Sequence, residues 1–342
     1  MLRRSLLFAL ALVSAACGTT GGNPFAATAP SRPPAANAAL EFVSGSWSST
    51  PGQPRELMAI ALDGSGLQQL TGCATAATPC DVLQVAPSPD RTRVIVVRTT
   101  PTAEAGANAL YFMDLSRSVE QVLESQRRVQ AADWSADGTF LLYSTAGTQT
   151  TTDEDLYTSQ SNGTSEQNLT STVDVRERSP RIDPFGRTAV YERICEATAT
   201  PCTDPGVSRI FLFSTTALTS GPATGPALPG TPYQVGSDAS PTFSPDGTQV
   251  VFRRLNGTGA GGLGTWDLMV VALTTGAVPQ TIVSGPLFRG APDWGSAGIV
   301  YVETDDPSGT SQLVLIQPDG SGRTVLRTEP AADQMGSPRW LP

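Results

Sequence analysis

The sequence predicts an all-β fold, a six-bladed β-propeller of four-stranded blades that is closed by its own C-terminal strand. Three observations predict it. A turn-centred pattern recurs six times, at Pro87, Trp134, Ile182, Phe243, Trp294 and Trp340, with spacings of 47, 48, 61, 51 and 46 residues. Each copy is followed by short β-branched or aromatic runs bounded by Gly, Pro, Asn or Asp, and no window sustains a period of 3.6. Residues 39–71, ahead of the first copy, lack an opening strand, and the last copy consists of nothing else. Four short strands every 46 to 61 residues match propeller blades.

The copies read VAPSPDR (85–91), AADWSADG (131–138), SPRIDPFG (179–186), SPTFSPDG (240–247), APDWGSAG (291–298) and SPRWLP (337–342). Second strands follow as VIVVR, FLLYS, TAVYE, VVFRR and GIVYVE, and third strands as ALYFMDL, EDLYTSQ, SRIFLFS, WDLMVVAL and SQLVLIQ. At the front, ALEFVS (39–44), RELMAIALDGSG (55–66) and LQQLT (67–71) match the second, third and fourth strands of a blade. Pairing of SPRWLP with ALEFVS would therefore complete that blade from the far end of the chain and leave no exposed gap in the ring.

SPTFSPDGTQVVF, ALDGSGLQQLT and IQPDGSGRTVL carry a pattern that resembles the WD-like repeats of TolB-type β-propellers, over residues 39–342. The resemblance implies a propeller that serves in protein interaction. It stops short of the α/β domain that precedes the propeller in that family, so the family's binding partner is not carried over.

The N-terminal residues divide into two further segments. MLRRSLLFALALVSAAC joins a basic start (Arg3, Arg4) to an apolar run shorter than the roughly 20 residues that span a bilayer, which reads as a signal peptide over 1–16. Small residues before Cys17 resemble the bacterial lipoprotein signal, which implies cleavage there and lipidation of Cys17. Ser14 departs from the Leu usual in that signal, and Gly18 from the Asp of inner-membrane retention, so the outer membrane is favoured. Residues 17–38, rich in Gly, Pro, Ala and Thr, read as a flexible tether with a reach of about 25 Å. Cleavage takes the net charge from −9 to −11. That charge repels phosphate backbones and argues against nucleic acid as a partner. The expected partners are envelope proteins, the expected state is a monomer facing the periplasm, and no cofactor is expected.

The four remaining cysteines form two C-x6-C pairs, Cys73 with Cys80 and Cys195 with Cys202. Zinc sites prefer closer spacing, so in an exported chain these read as two local disulfides, each contributing roughly 2 to 3 kcal/mol. The chain has no His, and all 22 of its basic residues are Arg. Ser or Cys catalysis therefore lacks its usual His or Lys base.

The SPDG tetrapeptide reads as a strand-joining turn: Pro fixes φ, Asp bonds backbone two residues on, and Gly accepts positive φ. Gly257-x-Gly259-x-x-Gly262 matches a dinucleotide fingerprint only formally, because no helix pattern follows it. Asp153, Glu154 and Asp155 in TTDEDLY read as a solvated charge run on an exposed loop, with a weak calcium contact as the alternative. The DGSG turns lack the ligand pattern of an EF-hand loop.

One constellation recurs beside the first strands. The residues just before the aromatic position are Asp133, Arg181, Thr242, Asp293 and Arg339. Asp and Arg fall on consecutive blades twice, which predicts two inter-blade salt bridges, Asp133 with Arg181 and Asp293 with Arg339. The functional alternative for these groups is a channel mouth that binds a polar ligand, or a carboxylate- or calcium-dependent hydrolase at the channel.

Overall fold

The computed structural model describes residues 37–45, 54–73, 81–99, 108–115, 119–124, 127–146, 153–195, 205–215, 237–258, 264–304, 310–329 and 334–342. Signal peptide, Cys17 and nearly all of the tether lie outside them, as do Cys80 and Cys202. Among the described residues every regular element is a β-strand.

The strands fall into consecutive antiparallel meanders. The first contains β1 (Leu40–Gly45), β2 (Glu56–Ile60) and β3 (Gln68–Gln69). The second runs β4 (Asp81–Pro87), β5 (Arg93–Thr99), β6 (Asn108–Asp114) and β7 (Val119–Glu124). The third runs β8 (Val129–Trp134), β9 (Phe140–Ala146), β10 (Glu154–Gln160) and β11 (Gln167–Asn168). The fourth shows β12 (Val175–Ile182), β13 (Thr188–Cys195) and β14 (Ser208–Ser214). Its predicted outermost strand falls in 216–236, outside the described residues. The fifth runs β15 (Asp238–Phe243), β16 (Gln249–Thr258), β17 (Gly264–Ala272) and β18 (Gln280–Val283). The sixth holds β19 (Phe288–Arg289), β20 (Asp293–Gly295), β21 (Gly298–Thr304), β22 (Ser311–Ile316) and β23 (Thr324–Glu329). The last strand, β24 (Gln334–Trp340), pairs antiparallel with β1, placing Trp340 opposite Leu40 and Arg339 opposite Glu41.

Hydrogen bonding sorts these strands into five open sheets rather than six. A parallel bridge between Glu154 and Arg176 merges the third and fourth meanders into one seven-stranded sheet. In the sixth meander the predicted first strand is split into β19 and β20, with residues 290–292 between them. None of the sheets closes on itself.

The apolar cores lie between successive meanders. Leu57 clusters with Val85, Ile95 with Tyr143, Leu142 with Tyr191, Val190 with Phe252, Val251 with Tyr301, and Val300 with Phe42, so the last cluster returns to the first strand. Each such side chain contributes roughly 1.5 to 3 kcal/mol by leaving water. The innermost strands follow the same order: β4 neighbours β8, then β12, β15, β20 and β24, and β24 neighbours β4.

A bulge recurs in these inner strands. Ser179, Ser240 and Ser337 sit at φ of 49°, 53° and 46°, each just before a proline, and the pairing register shifts beside each of them. The bulge twists the strand locally and re-aims the residue two places on. Those residues are Arg181, Thr242 and Arg339.

The SPDG turns have the geometry the sequence predicts. Ser244 donates its hydroxyl to Asp246 Oδ1 at 2.6 Å, and Thr248 N–H donates to the same oxygen at 3.0 Å. Ser135, Asp137 and Thr139 repeat the arrangement at 2.6 and 3.0 Å. These donors hold Asp246 and Asp137 below the ordinary carboxylate range.

Candidate functional site

The inner ends of β8, β12, β15, β20 and β24 enclose a cavity of about 420 Å³ lined by Asp133, Arg181, Thr242, Asp293 and Arg339. Trp134, Trp294, Trp340, Phe243 and Ile182 supply apolar walls. The four charged residues aligned by the repeat are thus brought to one place, each nine-tenths or more buried.

Both ion pairs that the repeat order suggests are present, and a third, shorter one is added to them. The short contact crosses the cavity: Arg339 Nη2 donates to Asp133 Oδ1 at 2.6 Å. Arg181 Nη1 stands 4.0 Å from the same oxygen, and Arg339 Nε stands 3.6 Å from Asp293 Oδ2. Arg339 is long enough to reach past its neighbour in the repeat order. Its guanidinium is held above its usual range because the attraction of Asp133 and Asp293 outweighs burial. Arg181 shares its nearest carboxylate and faces Arg339, so burial and that like charge push it down to about 10.

Both aspartates also bond to backbone of the next repeat. Ile182 N–H donates to Asp133 Oδ2 at 3.0 Å, and Trp340 N–H donates to Asp293 Oδ2 at 2.8 Å. Thr242 Oγ1 donates to Asp293 Oδ1 at 3.2 Å. The aspartates therefore join adjacent meanders, and all four of their oxygens are engaged. In the second repeat, where Ala86 replaces the acid, Trp134 Nε1 bonds the Ala86 carbonyl at 2.8 Å instead.

Two further residues shape the site without having been singled out from sequence. Glu41, 1% exposed, occupies the second-strand register filled elsewhere by Ile95, Leu142, Val190, Val251 and Val300. Burial pushes its carboxyl up to about 8, against the pull of Arg339 and Arg91. Gly295 replaces the Ser or Asp found in other copies, and a Cβ there would stand 2.3 Å from the Trp340 ring. Both are visible in the aligned repeats as departures from an otherwise regular column.

The acidic run in TTDEDLY is not a solvated loop. Glu154 is fully buried at the start of β10, bonded by Arg178 and within 3.3 Å of Arg128 Nη2. Asp155 accepts from Asn168 Nδ2 at 2.8 Å, Thr170 Oγ1 at 3.1 Å and Thr172 N–H at 2.9 Å. Long-range pairing with arginines and hydroxyls compensates the burial, which no local reading of three acids supplies. Among the described residues no three His, Cys, Asp or Glu side chains converge as a metal site would require. Cys73 is buried and Cys195 ends β13, while their predicted partners lie outside the described residues.

No family model matches the chain, and no curated protein matches it. Solved structures do. TolB from Acinetobacter baumannii aligns with a TM-score of 0.64 at 17% identity, over 89% of this chain and 67% of its own. A TolB from Agrobacterium tumefaciens gives 0.59 at 14% identity, over 89% and 99% of the two chains. A nidogen/laminin complex gives 0.62 at 10% identity, over 89% and 98%. The fold is that of a TolB-type β-propeller. A prolyl endopeptidase and an oligogalacturonate lyase also align, at TM-scores of 0.52 and 0.51 over 42% and 73% of their chains, so the fold by itself does not fix an activity.

Proposed function

We propose that residues 39–342 form a closed six-bladed propeller that serves as a non-enzymatic protein-interaction platform in the bacterial cell envelope. The observation that carries this reading is the engagement of all four Asp133 and Asp293 oxygens in bonds to other repeats, three to an adjacent repeat and one across the cavity. A general acid or base needs an oxygen open to substrate, and these carboxylates serve as mortar. The cyclic order of apolar clusters and the β24–β1 pairing support six blades and closure. Turns whose acids are satisfied internally give a rigid frame with variable loops, which suits docking.

The signal-like start and Cys17 support export and lipid anchoring on the periplasmic face of the outer membrane, with residues 18–38 as the spacer. Cys73–Cys80 and Cys195–Cys202 are proposed as loop disulfides. Peptide mapping without reductant should recover both linked pairs. Cys17→Ala should move the protein from the membrane fraction to the soluble envelope fraction.

The platform role is tested by placing photocrosslinking residues at the turn tips Ala136, Phe185 and Asp246 in cells. A reproducible envelope protein captured from these sites, and lost from sites on outer strands, is the expected result. Capture of nothing at any tip would refute the platform.

A further inference from the structure

The cavity between the inner strands has a one-sided hydrogen-bond balance. The acceptors of its two central aspartates are used: Asp133 holds Arg339 and Ile182 N–H, and Asp293 holds Thr242 and Trp340 N–H. Its donors are not. Arg181 Nη1, Arg339 Nε, Arg339 Nη1 and Trp340 Nε1 are buried and have no hydrogen-bond partner among the described residues. All four belong to residues that line the same cavity. A molecule seated there would satisfy them only by bringing acceptor oxygens of its own.

The surroundings narrow its chemistry. Guanidinium donors favour a planar carboxylate, which they can bind through two parallel bonds. Arg181 is the guanidinium least compensated by nearby acid, 4.0 Å from an oxygen that Arg339 already occupies. The lining also carries three carboxylates, Asp133, Asp183 and Asp293, against Arg181 and Arg339, so its net charge repels a dianion strongly and a single negative charge is favoured only directly beside Arg181. Walls of Trp134, Trp294, Trp340, Phe243 and Ile182 favour an apolar body behind the charged group. The geometry points to a binding site for a singly charged carboxylate carried on an apolar or aromatic group, with Arg181 as its principal contact. Such a carboxylate occurs on a free organic acid and at the C-terminus of a peptide, and both would present the same group to Arg181.

Titration calorimetry on the full propeller, with indole-3-acetate and with a tripeptide ending in Phe, tests the assignment and separates the two sources. Saturable binding by either acid, with the matching amide at least tenfold weaker, is the expected result. Preference for indole-3-acetate identifies a free acid as the ligand class, and preference for the tripeptide identifies a chain terminus. Arg181→Gln should weaken the preferred acid by about tenfold or more. The comparison of acid with amide needs no variant, so it stands even where Arg181→Gln folds poorly. Equal binding of acid and amide, binding of inorganic phosphate as tight as the acid, or no saturable binding of either acid would overturn the site.

Discussion

The contact between Asp133 and Arg339 spans the cavity and joins the third meander to the last strand, which makes its energy measurable and specific. Both side chains are about nine-tenths buried, and the donor–acceptor distance is 2.6 Å. Breaking a buried pair by removing one partner costs roughly 3 to 5 kcal/mol, because the other charge is left uncompensated. Asp133→Asn should fall at the low end, since its amide oxygen can still accept from Ile182 N–H. Arg339→Met should cost more, because it strands two carboxylates, Asp133 and Asp293. In the double variant the stranded charge at position 133 disappears, so the combined loss should fall short of the sum by at least about 1.5 kcal/mol. Urea unfolding of the four proteins, followed by tryptophan fluorescence and far-UV circular dichroism, gives the coupling energy. The pair Asp293 and Arg339, at 3.6 Å, should couple less, and Asp133 with Arg181, at 4.0 Å, least. Additive losses for Asp133 and Arg339, or the strongest coupling between Asp133 and Arg181, would refute the cross-cavity geometry.

Two other perturbations follow from the same site. Folded Glu41 keeps its proton up to about pH 8, while the unfolded chain releases it near 4.5, so the folded state binds more protons between these values and stability falls as pH rises through that window. Glu177, raised to about 7 mainly by burial, acts in the same direction. Melting at pH 5 should exceed melting at pH 8, and Glu41→Gln should shrink the difference by an amount on the order of a few kcal/mol; an unchanged pH profile would refute the burial of a neutral Glu41. Gly295→Ser installs the residue that other copies carry, yet its Cβ would overlap the Trp340 ring, so a loss of about 1 to 3 kcal/mol is expected by thermal denaturation. Gly336→Ala, with nothing within 4 Å of the added carbon, should be close to neutral.

Much of the fold is legible in the sequence because its signals are local. Pro, Asp and Gly at fixed offsets mark each turn, and the networks around Asp137 and Asp246 show why the tetrapeptide recurs. Aligning those turns also puts Asp133, Arg181, Asp293 and Arg339 at one level of the structure before any coordinate is known. Their pairing is a different matter. Repeat order makes neighbours of Asp133 and Arg181, whereas the reach of Arg339 across the cavity depends on three-dimensional placement that spacing does not encode. The burial of Glu154 in TTDEDLY is hidden for the same reason: its charge is met by Arg178 of β12 and by Arg128, just ahead of β8, both remote in sequence. Glu41 and Gly295 stand out as exceptions to their columns, but what they meet, Arg339 and Trp340, lies on the last strand, remote in sequence from both.

Strand β24 completes the first meander and seats both Arg339 and Trp340. A chain ending at Ser337 loses Arg339, Trp340 and Leu341, with the bonds from Leu341 N–H to Ala39 O at 2.9 Å and from Trp340 N–H to Asp293. Lost burial of the two apolar side chains, about 2 to 3 kcal/mol each, adds to two stranded carboxylates. That loss rivals the whole stability of an ordinary domain, roughly 5 to 15 kcal/mol. Thermal denaturation of the truncated chain beside the full one is the direct measurement. The truncated protein should lose its cooperative transition or melt far lower; a transition within a few degrees of the full chain would contradict a structural role for β24.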